Sequence, residues 1–164
     1  GILGFIVNMV RSIPFIILLV ALIPLTKLLV DSTIGPAAAS VSLSVAATPF
    51  FARIVETSLR EIDKGVIEAA VAVGATPWMI IKDVLLPESK SSIVQGVTMT
   101  IISLVAYSAM AGVVGGGGIG DLAIRFGYYR YDNTIMVVTV VILIVLVQII
   151  QQLGDWTSKA IDKR

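Results

Sequence analysis

The sequence predicts an all-α polytopic membrane protein, and three observations carry the prediction. Hydrophobic residues make up 57% of the chain and charged residues 14%, about half the charged share of a typical soluble domain, and mean hydropathy is +0.98. Apolar runs long enough to cross a bilayer, which takes about 20 residues, recur four times. Between the second and third lies a stretch of different character, EAAVAVGATPWMIIKDVLLPES at 68–89. The chain contains no Cys and no His, which removes disulfides, thiol nucleophiles, His bases and the usual zinc ligands.

The sequence reads as a single transmembrane domain over 1–164, with spans near 13–30, 36–54, 92–114 and 134–153 and a loop over 61–89. The first span begins at Pro14, tolerable in a first helical turn, and carries Pro24 near its far end. The second is rich in Ala and Ser; its Ser40, Ser44 and Thr48 fall four apart, a spacing that suits a small-residue packing seam. The fourth, NTIMVVTVVILIVLVQIIQQLG, is the clearest. The chain opens on Gly, and GILGFIVNMVRSIP lacks the basic start of a signal peptide. A fragment or a processed product is expected.

Lys and Arg set the orientation, because they concentrate on the cytoplasmic side. With the 61–89 loop inside, nine of the twelve fall there: Arg11, Arg53, Arg60, Lys64, Lys82, Lys90, Lys159, Lys163 and Arg164. Lys27, Arg125 and Arg130 fall outside. Phe126, Tyr128, Tyr129 and Tyr131 then mark the outer boundary and Trp156 the inner one. No charged residue sits in the central part of a span, so a proton relay through these helices is not expected. Energy for transport would come from a partner.

Within the loop, Asp63 is placed to cap a helix over 64–73, and Gly74 stands where a left-handed C′ residue belongs. Thr76 caps a second helix with Pro77 at its first position and Pro87 marking its end. Ile62, Val66, Ala69, Ala70 and Val73 share one face of the first helix. Such a small-faced helix suits a groove in a soluble partner, or an amphipathic position on the membrane surface.

Glu68-Ala69-Ala70, three residues, Gly74, nine residues, Val84, one residue and Leu86-Pro87 resembles the EAA signature of ABC-importer permeases, which usually has Ile where Val84 stands. The resemblance implies that the loop is the coupling helix. Glu68, Ala69, Ala70, Gly74, Leu86 and Pro87 would then dock into a cleft of an ATP-hydrolysing subunit. RSIPFIILLVALIPLTKLLV and YSAMAGVVGGGGIGDLAIRFGYYRYD are similar to the methionine-type subfamily, and the likeness runs over essentially the whole chain. That subfamily implies one further N-terminal span, five in the full chain.

GGGGIG at 115–120 formally matches G-x-G-x-x-G but follows a membrane helix instead of a strand, so it reads as an outer turn or a close helix approach. No G-x-x-x-x-G-K-[ST] is present, and no cofactor is expected in this chain; ATP with Mg would be bound by the partner. On the third span, Ser92, Gly96, Thr100, Ser103, Tyr107 and Met110 fall within about 80° of one face at about 100° per residue. That stripe is either a packing seam or the uncharged wall of a translocation path, with the polarisable Met110 as its gate.

Four or five spans can hardly enclose a solute path alone, so a twofold homodimer is expected to form it. The partners implied are two cytoplasmic ABC ATPase subunits, an extracytoplasmic substrate-binding lipoprotein and the lipid of a bacterial cytoplasmic (inner) membrane, with no nucleic acid. The function implied is a non-enzymatic permease subunit importing methionine, D- or L-, by alternating access. The alternatives are a permease for another amino acid or small osmolyte, and a channel or structural membrane subunit without an ATPase.

Overall fold

The structure, a computed structural model, describes residues 2–162 and, for Val113, the backbone alone. Lys163 and Arg164, counted above on the inner side, lie outside the described residues. Every regular element among the described residues is helical. In chain order these are α1 (Ile2–Ser12), α2 (Phe15–Ala21), α3 (Ile23–Val30), α4 (Pro36–Arg60), α5 (Lys64–Ala72) and α6 (Pro77–Met79). A π turn over Ile80–Leu85 joins α6 to α7 (Leu86–Met110), and a 3₁₀ turn follows at Ala111–Val114. Then come α8 (Ile119–Leu122), a second π turn over Ala123–Tyr128, and α9 (Asn133–Ile161).

Among the described residues, three helices are long and apolar enough to cross a membrane: Pro36–Arg60, Pro77–Met110 and Asn133–Ile161. The bent pair Ile2–Ser12 and Phe15–Ala21 makes a fourth candidate if it is taken as one span. The run expected as one span over 13–30 is two helices that meet at Leu22, φ −85° and ψ 0°, where α3 restarts with Pro24 in its first turn. A proline there has no N–H to continue the ladder and crowds the preceding turn. Upstream, the residues around Pro14 turn α1 by 105° from α2.

The helix expected to stop at Pro87 runs on through it. Pro77–Met110 is one unbroken 34-residue helix, and the π turn explains how. In an α-helix the Pro87 ring would clash with the carbonyl four residues back. The wider turn relieves that crowding, and Leu86 N–H reaches back to the Ile81 carbonyl instead.

α7 is the central element, packed along α9 on one side and α4 on the other. The contacts are close because small residues sit at them. A Cβ added at Gly96 would run into Ile54 of α4, one at Gly154 of α9 into Thr98, and one at Gly120 of α8 into the Ala109 backbone. The ends of α4, α7 and α9 beside the 61–89 loop, an elbow between α4 and α7, are pinned by hydroxyls. Ser92 Oγ donates to Ser58 Oγ at 2.8 Å, the Ser91 and Ser158 hydroxyls meet at 2.7 Å, and Ser158 Oγ donates to the Ser91 carbonyl at 3.1 Å. Few large side chains are buried, among them Phe15, Leu18 and Leu19. Leu28, Val137, Ile144 and many others point outward, as a lipid-facing surface requires. Ser40, Ser44 and Thr48 also face outward, each hydroxyl bonded to its own helix at Ala37, Ser40 and Ser44 carbonyls; within this chain they form no seam.

Candidate functional site

The elbow is built from local chemistry. Asp63 accepts a hydrogen bond from Gly65 N–H at 2.6 Å, which satisfies an otherwise orphaned donor at the start of α5. At the other end Gly74 N–H bonds the Val71 carbonyl at 2.9 Å and Ala75 N–H bonds the Ala70 carbonyl at 3.0 Å. That pair is the Schellman pattern, and it sets Gly74 at φ +84°, where glycine alone is unstrained among common residues. Thr76 Oγ1 then accepts from Met79 N–H at 3.4 Å and Pro77 takes the first turn of α6.

α5 buries none of its residues and packs on the π turn that leads into α7. Glu68 and Ala69 are exposed and Ala70 half-buried on α5, while Leu86 and Pro87 are exposed at the base of α7. Val73 and Trp78 add apolar surface to the corner, 85% and 69% exposed. The motif residues thus occupy one projection whose apolar surface has no cover among the described residues. Glu68 forms no ion pair among the described residues.

The third-span stripe separates into two parts. Ser92, Gly96 and Thr100 are turned toward neighbouring helices or their own backbone: Ser92 bonds Ser58, Gly96 meets Ile54, and Thr100 Oγ1 donates to the Gly96 carbonyl at 2.7 Å. Tyr107 stacks on Phe15 with ring centroids 4.8 Å apart and planes 9° from parallel. Ser103 is half-buried. Met110 is different, for it is 45% exposed and lines a cavity of about 670 Å³.

Two clefts flank α7 at its opposite ends. Near the elbow, a cleft of about 530 Å³ is bordered by Arg11, Arg53, Glu61, Ser92, Gln95 and Met99. Arg53 there is paired with Glu56 at 2.8 Å, and Arg60 holds the same carboxylate at 2.7 Å. At the far end, the Met110 cavity also contains Asp121 and Arg125, an ion pair at 3.1 Å. Also at the far end, the glycine run closes against the start of α4. Gly115, Gly117 and Gly118 have positive φ, Gly35 N–H bonds the Val114 carbonyl at 2.9 Å, and a Cβ on Gly116 would press on Ala111 and Ala39.

Sequence reasoning did not single out Ser58, Ser91, Ser158, Thr98 or Gly154 as helix contacts, nor Asp121 and Arg125 as a pair. The i,i+4 spacing of Asp121 and Arg125 was a usable signal. The hydroxyl contacts had none, since their partners lie 34 and 67 residues away.

Comparison with known proteins agrees with this architecture. The Vibrio cholerae protein described as a probable D-methionine transport system permease protein MetI is 57% identical over 162 residues, 99% of this chain and 72% of that protein. The methionine import system permease protein MetP of Bacillus subtilis is 45% identical over 164 residues, 100% of this chain and 74% of that protein. A solved chain from inward-facing conformations of the MetNI methionine ABC transporter is 50% identical, with a TM-score of 0.92 over 96% of this chain and 73% of that one. The family pattern described as "Binding-protein-dependent transport system inner membrane component" matches residues 1–164. A helical membrane fold with an exposed elbow, matched end to end by that pattern, places the chain in the family of binding-protein-dependent transport system inner membrane components.

Proposed function

We propose that this chain is the permease subunit of an ATP-driven importer that carries methionine into the cytoplasm by alternating access. The observation that carries the reading is the 57% identity to a D-methionine permease over 99% of the chain. A permease subunit performs no covalent chemistry; ATP and Mg belong to the ATPase partner. Two copies form the path at a twofold interface, two ATPases bind from the elbow side, and a substrate-binding lipoprotein delivers from the other. Closing the ATPase pair draws the elbows together and turns the inward-facing cavity outward.

Residue roles follow from position. Glu68, Ala69 and Ala70 present the docking face, Gly74 aims it, and Leu86 and Pro87 transmit its motion into α7. Support for this comes from the uncovered apolar corner and the unbroken helix that continues from it. Ser92, Gly96, Thr100, Ser103 and Tyr107 keep α7 close to its neighbours and border the path, and Met110 closes it on the twofold axis. A thioether suits a gate because it makes no strong hydrogen bond and repacks readily.

The test is uptake of labelled methionine into proteoliposomes holding the permease, ATPase and binding protein. Uptake requiring ATP and competed by D- or L-methionine is expected. Accumulation of a different amino acid or an osmolyte, with none of methionine, would reassign the substrate; flux without ATP would make the chain a channel.

A further inference from the structure

We propose that the cavity at the end of α7 away from the elbow binds a zwitterionic amino acid with an apolar side chain, and that Asp121 and Arg125 hold its charged end. The proposal rests on the methionine-importer reading and gives that substrate a place in the chain. The cavity measures about 670 Å³, within the usual range of small-molecule sites. Its walls come from five elements, with Ile16 from α2, Ala109 and Met110 from α7, Gly112 from the 3₁₀ turn, Asp121 from α8 and Ile124 from the second π turn. Asp121 and Arg125 are the charged groups among its lining residues. An apolar cavity with a few polar groups at one place is the general form of a small-ligand site, and π turns recur at such sites.

The pair is built to leave capacity for a ligand. The Asp121 side chain is 14% exposed and lies tight against the 3₁₀ turn, where a Cβ on Gly112 would collide with it. Arg125, half exposed, reaches it through one nitrogen, Nη2, at 3.1 Å to Oδ2 and 3.2 Å to Oδ1. A guanidinium has three nitrogens and five N–H groups, so Nη1 and Nε remain for a carboxylate. The Asp121 oxygens retain lone pairs for an ammonium. An amino acid carries both charges on one carbon, side by side as the protein's pair is, and its charge-assisted bonds to both groups are the strong kind. An amine or an acid alone engages only one member and forgoes the charge-assisted bonds of the other. The ligand's side chain then lies along Ile16, Ile124 and Met110, so a site at the gate is occupied by the solute that the gate passes.

The test uses the full chain assembled with its ATPase and binding protein in proteoliposomes, with Ile124→Cys in a sequence stretch that has no Cys. The rate of alkylation at position 124 is measured with and without methionine. At about ten times the half-saturating concentration, occupancy should slow labelling about tenfold. Methioninol and the 2-hydroxy analogue, each lacking one charge, should protect far less. Arg125→Gln and Asp121→Asn should abolish methionine protection, and Arg125→Lys should restore part of it. A pair that only braces the turn would change the basal labelling rate and leave the dependence on methionine intact. Equal protection in the charge variants, or none in a complex that imports methionine, overturns the proposal. If the complex imports no methionine, the functional reading fails separately. The same assay with leucine and phenylalanine then decides the site, protection supporting it and its absence overturning it.

Discussion

Gly74 shows how one residue aims an element. Its φ of +84° is fixed by two hydrogen bonds to α5, and a Cβ there would meet nothing within 4 Å. The cost of substitution is therefore backbone strain and not collision. Gly74→Val should strain the corner by about 1–2 kcal/mol and misdirect α5, leaving protein in the membrane with transport lost and ATP hydrolysis insensitive to substrate. Gly74→Asn, whose side chain tolerates the left-handed region, should retain most transport. Equal and normal transport by both would remove the corner from the coupling mechanism. Met110 poses a different question at the same scale. If the two copies of Met110 meet on the axis, Met110→Cys should cross-link to its partner in the closed state, since a disulfide needs Cα atoms within about 7 Å. No dimer on oxidation in any nucleotide state, with wild-type transport by Met110→Ala, would make it an ordinary helix contact.

At the scale of elements, small residues decide how near the helices come. Gly154 of α9 faces Thr98 with no room for a methyl group, and Thr98 itself is buried, its hydroxyl bonded to the Val94 carbonyl. Gly154→Ala should therefore destabilise the purified complex by about 1–3 kcal/mol, as overpacking does, seen as a lower melting temperature. Gly4→Ala, built into open space on α1, is the control, expected to keep or slightly raise the melting temperature because alanine is the better helix former. An unchanged melting temperature for Gly154→Ala would mean that α7 and α9 are less closely packed than described. The π turn belongs to this scale too. It lets a proline sit inside a 34-residue helix, so α6 and α7 form one continuous element.

For the whole molecule, the proposed orientation can be tested by labelling, and the structure chooses the positions. Ser58 and Ser89 are 5% and 2% exposed, so a Cys at either would stay unlabelled on any side of the membrane. Ala72 is exposed on α5 and Tyr131 is 87% exposed at the opposite end. In intact cells Tyr131→Cys should react with an impermeant thiol reagent, and Ala72→Cys should react only after permeabilisation. The reverse pattern would place the elbow outside and separate it from any ATPase.

The membrane class, the elbow and its glycine corner were legible in the sequence, because each depends on local properties. Hydropathy over a window, a cap at Asp63 or Thr76 and a Gly after the last helical turn act within a few residues. Helical period also showed that Ser92, Gly96 and Thr100 share a face of α7. It could not say what covers that face, since Ser58 and Ile54 come from α4, nor that Ser91 and Thr98 on another face meet Ser158 and Gly154 of α9. Nor could period reveal that Pro87 is absorbed by a π turn, because the relief comes from backbone geometry that the residue types do not encode. The sequence by itself determined that the chain is a helical membrane protein and where its elbow turns, both set by local solvation and backbone freedom. Tertiary structure alone decided which polar side chains pin helices together and which, like Asp121 and Arg125, line an open cavity. Those roles depend on partners distant in the chain.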